Sequence, residues 1–254
     1  MRIAAEDIAA QYRQSIWAGQ YRYGDVLPRA NDVAEDLGAD RKTVLDAYRQ
    51  LANEGLVEVR RRAGTVVTHR TPMRRMGAER YARHLRRQGV VAFMADRLAA
   101  GESYQRTDQT PTVRRVPAAA DVAAALLLPL GAMVIERARL VRDSGGRPTQ
   151  SLTSWYRVDD VAGSPIETSN VGTAGSGGGY SALDELGIGP TEITEEILAR
   201  MPTPDEAALL ELPGSVPITD LTRHARHDNY LVEYARGLYV GPRFTWSYTF
   251  PVPD

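Results

Sequence analysis

Apolar residues in the first seventy positions recur with helical spacing three times in quick succession. Ile8, Tyr12 and Ile16 fall every four residues with Ala5 and Ala9 beside them, which makes one apolar stripe. It closes near Gly19, a residue suited to the left-handed turn after a helix. Turn formers Gly24, Asp25 and Pro28 fill the loop that follows, and Val33, Ala34 and Leu37 mark a very short helix over Asn31–Leu37, stopped by Gly38. Val44, Ala47, Tyr48 and Leu51 lie at i, i+3, i+4 and i+7, so a third helix begins after Asp40, a candidate N-cap. Arg41, Lys42, Thr43 and Asp46 are left on its outer side. Past Gly55 the period changes from helical to two: Leu56–Val59 and Thr65–Val67 read as strands joined by Arg60-Arg61-Arg62-Ala63-Gly64.

Three arginines at a hairpin tip repel one another unless an anion lies between them. Helix, short helix, tight turn, helix and basic hairpin is the layout of a winged helix-turn-helix, whose third helix enters the DNA major groove by its N-terminal residues. A small helical bundle with an arginine-rich surface turn is the competing reading, and the order, the spacing and the charge placement agree less well with it.

Charge sharpens this picture. The 254 residues carry 31 basic and 32 acidic side chains, a net charge of −1, but residues 1–90 hold an excess of six positive charges and residues 91–254 an excess of seven negative. A basic front suits a polyanion, although a charged face is often merely solvated. The length favours two modest domains, and 43% apolar residues suffice for buried cores. Cysteine is absent, which removes disulfides, Cys-type zinc sites and thiol nucleophiles. His69, His84, His224 and His227 show no metal-ligand spacing, and neither a nucleophile elbow nor a phosphate or dinucleotide loop occurs. We therefore expect no metal, no cofactor and no enzyme. No apolar run approaches the ~20 residues of a membrane span, so a soluble, cytoplasmic protein is expected.

The segments Gly24-Asp25-Val26-Leu27-Pro28, Asp32–Gly38, Arg41-Lys42-Thr43-Val44, Glu54-Gly55-Leu56-Val57 and Gly64-Thr65-Val66-Val67 together resemble the DNA-binding domain of GntR-type bacterial transcription regulators over residues 3–68. The resemblance implies a repressor or other regulator that binds a palindromic operator in double-stranded DNA as a homodimer. Arg41 and Thr43 match the start of the family's recognition helix, beside Lys42. Gly64 with Arg61 and Arg62 matches the wing tip, which the family places in the minor groove. There glycine allows close backbone approach and arginine favours the narrow, negative groove. Several positions depart from the pattern: Arg29 and Asn31 stand where Ser and Arg are usual, Asp40 replaces the Ser before Arg41, and Leu45 a frequent Arg. Arg29 is a candidate to replace the lost phosphate contact. Asp40 suits phosphate poorly unless it caps the helix or accepts from a cytosine amino group.

Residues 69–77, with Pro72 and several arginines and no apolar period, read as a linker, and a helix-like stretch Ala78–Gln88 follows. Behind it lies a faint repeat. Helix Asp121–Leu128 precedes strands Met133–Arg142 and Pro148–Tyr156; helix Asp205–Leu212 precedes strands Val216–Arg226 and Leu231–Tyr239. Two such units side by side predict an antiparallel sheet with helices against it.

Asp121-Val122-Ala123, Pro129-Leu130-Gly131, Arg137-Ala138-Arg139-Leu140, Gly178-Gly179-Tyr180, Leu183–Gly187 and Ala199–Pro202 resemble the UTRA domain of HutC-type GntR regulators. The implied fold class is α+β: a winged helix-turn-helix domain (1–68), the linker (69–77), and a chorismate-lyase-like mixed or antiparallel sheet domain (78–254) for dimerisation and a small-molecule effector. Positions matching the family's pocket are Arg137, Arg139, Tyr180, Glu233 and Tyr234. Arginines in a pocket imply a carboxylate or phosphate ligand. The alternative is one arginine pointing outward and the other holding Glu233. Ala92 and Leu152 stand where sugar-phosphate binders carry Ser and Glu, which argues against a phosphorylated amino sugar. Trp155 suggests a flatter or more apolar ligand. The glycine-rich Gly172–Gly179 reads equally as a mobile lid or an ordinary loop. A constitutive dimeric repressor without effector stays open.

Overall fold

The computed structural model describes residues 3–69, 72–143, 145–212 and 216–252. It divides into two units, Met1–Pro72 with Leu212–Val216, and Met73–Glu211 with Pro217–Asp254.

The first unit follows the sequence pattern. α1 (Ala5–Trp17), α2 (Ala30–Leu37) and α3 (Arg41–Asn53) precede the antiparallel hairpin β1 (Val57–Arg60) and β2 (Gly64–Val67). The apolar stripes converge on one core in which Ile8, Val44, Ala47 and Leu51 are fully buried. Tyr48 spans polar and apolar surroundings: its ring meets Tyr12 edge-on and its hydroxyl donates to the Pro28 carbonyl (2.8 Å). Gly38 ends α2 in the left-handed conformation (φ 59°), as glycine does without steric cost. Asp40 occupies the N-cap of α3, though without a side-chain capping bond.

The second unit opens on β3 (Met73–Met76), inside the stretch expected to be a linker. The apolar period is hidden there because two of its four residues are arginines, and its partner, parallel β10 (Phe244–Ser247), lies at the far end of the chain. The expected helix after it is split into a 3₁₀ turn (Ala78–Tyr81) and α4 (Arg83–Arg87), because Ala82 takes an extended backbone. α5 (Ala92–Ala99) and a second 3₁₀ turn (Arg106–Asp108) lead to β4 (Gln109–Pro117).

From β4 onward the repeat is larger than the sequence pattern indicated. β4, α6 (Ala120–Ala125), β5 (Met133–Arg142) and β6 (Pro148–Arg157) form one strand–helix–hairpin unit. β7 (Glu192–Arg200), α10 (Pro204–Leu209), β8 (Ile218–His227) and β9 (Tyr230–Val240) form the other. Between them lie α7 (Val158–Val161), α8 (Pro165–Thr168) and α9 (Gly178–Glu185). The six strands pair antiparallel in the order β4-β5-β6-β9-β8-β7, the two hairpins meeting at β6 and β9. α6 closes one face over Val134, Leu231 and Tyr234. α7, α8 and α9 cover the other over Ile135, Tyr156 and Ala225.

Candidate functional site

On the first unit, Arg29 and Asn31 are exposed at the start of α2, and Asp40, Arg41 and Lys42 are exposed and Thr43 half-exposed at the start of α3. Helix N-termini carry a partial positive charge, and Arg41 and Lys42 add to it. Among the described residues no carboxylate pairs with Arg41, Lys42, Arg61 or Arg62. The hairpin turn uses left-handed backbone at Arg62 (φ 76°) and Gly64 (φ 85°). A Cβ on Gly64 would sit 3.1 Å from Val26 Cγ1, so the turn lies close against the strand-like bridge of Val26 to Val66. Arg60 is turned back to Glu58 (3.0 Å), which removes it from the trio of like charges. Two unpaired exposed arginines remain at the tip, matched in sign to a phosphate backbone.

In the second unit, the face of the sheet under α9 encloses a cavity of about 90 Å³. Strand alternation decides which residues reach it. Arg137 and Arg139 on β5, Gln150, Leu152 and Tyr156 on β6, Arg223 on β8, and Glu233 and Tyr239 on β9 all line it. So do Arg80, Tyr81, Ala92, Gln109 and Gly177–Tyr180.

Glu233, 1% exposed, is the hub. Ser154 Oγ (2.5 Å) and Tyr156 (2.8 Å) donate to Oε1, Tyr180 (2.8 Å) donates to Oε2, and Arg223 donates to both oxygens at 3.1 Å. Burial favours its protonated form. Arg223, then Arg139 and the hydroxyl donors, outweigh that and hold the carboxyl below the ordinary range. Burial also raises the Tyr180 and Tyr156 hydroxyls, so both stay neutral donors.

The two arginines of β5 differ. Arg137 is buried and donates to the carbonyls of Ser169 (2.6 Å), Gly172 (3.2 Å) and Ile166 (3.3 Å). With burial first and Arg139 second, its guanidinium is pushed down to about 10. Arg139 is half-buried and donates to Ser154 Oγ and to the Leu152 carbonyl (3.3 Å). Neither pairs with a carboxylate among the described residues; Arg223, which sequence reasoning missed, holds Glu233 instead. Arg80 also presents Nε and Nη1 without a hydrogen-bond acceptor among those residues. One end of the cavity is thus rich in cationic donors.

Tyr234 does not reach the cavity. It follows Glu233 in the strand and so faces the opposite side, stacked on Trp155 (5.8 Å) and beside His224 (5.2 Å). Trp155, expected to favour a flatter or more apolar ligand, shares that face, donates to Glu136 (3.2 Å) and does not line this cavity. The glycine-rich stretch is a packed wall: Thr173 and Ala174 are buried, and a Cβ on Gly177 or Gly178 would lie 2.6 Å from the Arg86 carbonyl or 2.5 Å from Val91. Ala92 and Leu152 both face the cavity, without hydroxyl or carboxylate. Among the described residues no group of His, Asp and Glu is arranged to hold a metal ion, and no helix is long and apolar enough to cross a membrane.

Comparison with known proteins agrees with both halves. The profile of bacterial regulatory proteins of the gntR family matches residues 4–67, and that of the UTRA domain residues 109–245. The chain is 45% identical to the HTH-type transcriptional regulator SCO4628 of Streptomyces coelicolor over 250 residues, 98% of this chain and 93% of that protein. It is 27% identical to the HTH-type transcriptional repressor PhnF of Mycolicibacterium smegmatis, over 89% of this chain and 84% of PhnF. The crystal structure of PhnF from Mycobacterium smegmatis shares the fold with a TM-score of 0.58 at 24% identity, covering 97% of this chain and all of that one. The α+β architecture, the exposed basic helix start and wing, and these matches lead to one conclusion: the chain is a transcriptional regulator of the GntR family, with a GntR helix-turn-helix domain followed by a UTRA domain.

Proposed function

We propose that the protein is a cytoplasmic, homodimeric repressor of a palindromic operator, whose DNA affinity is modulated by a small anionic effector held in the cavity under α9. The observation that carries the effector is Arg139: a cation at the cavity wall that forms no direct ion pair with a carboxylate among the described residues, with the unfilled donors of Arg80 in the same wall. An anion offers the acceptors these groups lack. The cavity's size suits a compact carboxylate, and Ala92 and Leu152 disfavour an amino-sugar phosphate. On the DNA side, Arg41, Lys42 and Thr43 read or clamp the major groove, Arg61, Arg62 and Gly64 grip the minor groove, and Arg29, Asn31 and Asp40 border the backbone. The repressor name of PhnF supports the direction of control.

The test has two steps. Genomic binding sites define the operator, and a thermal-shift screen of cellular carboxylates and phosphates is run on the full chain and on Arg139→Met. We expect a ligand that stabilises the parent, fails with Arg139→Met, and changes operator affinity at least about tenfold, a coupling of ~1.4 kcal/mol. A second reading, a constitutive repressor, draws on the saturation of Glu233 by four internal donors. Tight operator binding with no stabilising ligand decides for it.

A further inference from the structure

The ribbon of β3 and β10 follows directly on Pro72, where the first unit ends, and it is tied side chain by side chain to the cavity wall. Arg75, in the middle of β3, is 1% exposed. Its guanidinium lies 4.1 Å over the Trp246 ring of β10 and grips Glu195 of β7 with both Nη groups (2.9 and 2.5 Å). The Tyr81 hydroxyl joins this cluster to the cavity. It donates to Glu195 Oε1 (2.5 Å) and accepts from Arg75 Nη2 (3.0 Å) and Arg223 Nη1 (3.3 Å). One proton and two lone pairs are all a phenol has, so its capacity is filled. Arg223 in turn holds Glu233.

Two more contacts converge on the ribbon. The Met76 N–H donates to Asp96 (3.0 Å), which pairs with the cavity-lining Arg80 (2.9 Å). Tyr239, another wall residue, packs edge-on against Phe244 and Trp246 of β10. A sheet of two short strands is marginal by itself, so these ties set where it sits.

We propose that the Tyr81 hydroxyl couples the state of the cavity to the β3–β10 ribbon, and through β3 to the segment of chain leading from the first unit. An anion that draws the Arg223 guanidinium toward itself lengthens the bond from Arg223 to Tyr81 and frees the ribbon; a ligand that leaves Arg223 on Glu233 keeps it in place. The ribbon shifts only as far as the ligand prefers one arrangement over the other. This rests on reading the cavity as the effector site, but the test requires neither ligand nor DNA, so its failure leaves that reading standing.

Hydrogen exchange of the Met73–Met76 and Phe244–Ser247 amides is measured on the full chain for the parent, Glu233→Gln, Tyr81→Phe and the double variant. Tyr81→Phe keeps the ring and removes only the shared hydroxyl. We expect Glu233→Gln to speed exchange in the ribbon about tenfold, and to add less than about twofold once Tyr81 is Phe, because local opening reports the lost tie. Ribbon exchange unchanged by Glu233→Gln, or effects that multiply independently in the double variant, would overturn the coupling. Should Glu233→Gln fail to fold, Ser154→Ala, which removes one donor to Glu233, takes its place with the same two readings.

Discussion

Arg223 and Glu233 are diagonal neighbours across the β8–β9 hairpin, Arg223 opposite Ala235 and Glu233 opposite Ala225, and the guanidinium meets both carboxylate oxygens at 3.1 Å. Both side chains are at least 95% buried. A buried ion pair is weak evidence of stability as a pair, but removing one partner leaves an uncompensated charge in a poor solvent for it. Arg223→Met is therefore expected to cost roughly 3–5 kcal/mol, and adding Glu233→Gln to restore part of that loss. Urea unfolding of the two variants checks both signs. A loss below about 1 kcal/mol for Arg223→Met would show that water or rearrangement already shields Glu233.

The two arginines of β5 give a second contrast. Arg137 donates to three backbone carbonyls between residues 166 and 172, of which those of Ile166 and Gly172 are buried and that of Ser169 half-buried. The Gly172 carbonyl also accepts from Gln109 (2.9 Å), so Arg137→Met takes this donor chiefly from the carbonyls of Ile166 and Ser169 and is expected to destabilise the chain by about 2–3 kcal/mol. Arg139, half-buried with two partners on the neighbouring strand, should cost about 1 kcal/mol or less when replaced by Met. Differential scanning calorimetry of the two variants separates the roles. Equal losses would mean that Arg139 also holds the fold.

How far the sequence reached depended on where each signal lay. In the first unit each helix carries its own apolar period, so helical spacing located α1 to α3 although they pack across about 40 positions, and Gly38 and Gly55 marked two of the breaks. In the second, the strands of both hairpins were legible because each alternates and turns locally. β3 was not: its partner lies about 170 positions away and its buried residue is Arg75, which reads as surface. β4 and β7 were missed as repeat members because they join the hairpins only across the sheet edges.

The same reason governs the cavity. Arg137, Arg139, Tyr180 and Glu233 came from a motif resemblance, and β5, β9 and the overlying α9 bring them together, whereas Tyr234 follows Glu233 directly and so cannot share its face. Arg223 carried only part of a signal: it shares a strand face with Ala225, but counting outward from the turn pairs Glu233 with His224, and only the bulge between Ala225 and Arg226 sets Glu233 opposite Ala225 and diagonal to Arg223. Arg80, Tyr81 and Gln109 carry no such local mark.

On the DNA side, exposure and lack of ion pairing set expectations for two classes of contact. Arg41→Ala is expected to weaken operator binding by ~1–3 kcal/mol and to relax preference at one base position. Arg61→Ala should instead weaken operator and random DNA alike and lower the slope of log affinity against log salt by about one. Fluorescence anisotropy across a salt series on both DNAs distinguishes them. An Arg41→Ala protein that binds the two DNAs as the parent does would refute the assignment of α3 as the reading helix.

Acid stability tests the cluster around Glu195. Burial favours its neutral form, but the Arg75 bonds, the charges of Arg75 and Arg223 and the Tyr81 hydroxyl prevail and bring the carboxyl down from 4.5 to about 2. The unfolded chain takes up this proton at higher pH than the folded one does. The contribution is therefore complete above about pH 4.5 and is lost as pH falls toward 2. Glu233 and Glu206 are lowered in the same sense, so they add to the decline in the same direction. Glu195→Gln should be less stable at neutral pH, because Arg75 loses its counter-charge in a buried place. Its stability should also fall less steeply on acidification, by at most one proton, or ~1.4 kcal/mol per pH unit. Urea midpoints from pH 7 to pH 3 give both quantities. Parallel curves for parent and variant would mean that Glu195 titrates in the folded chain as it does in the unfolded one, and that Arg75 is held by its aromatic contacts alone.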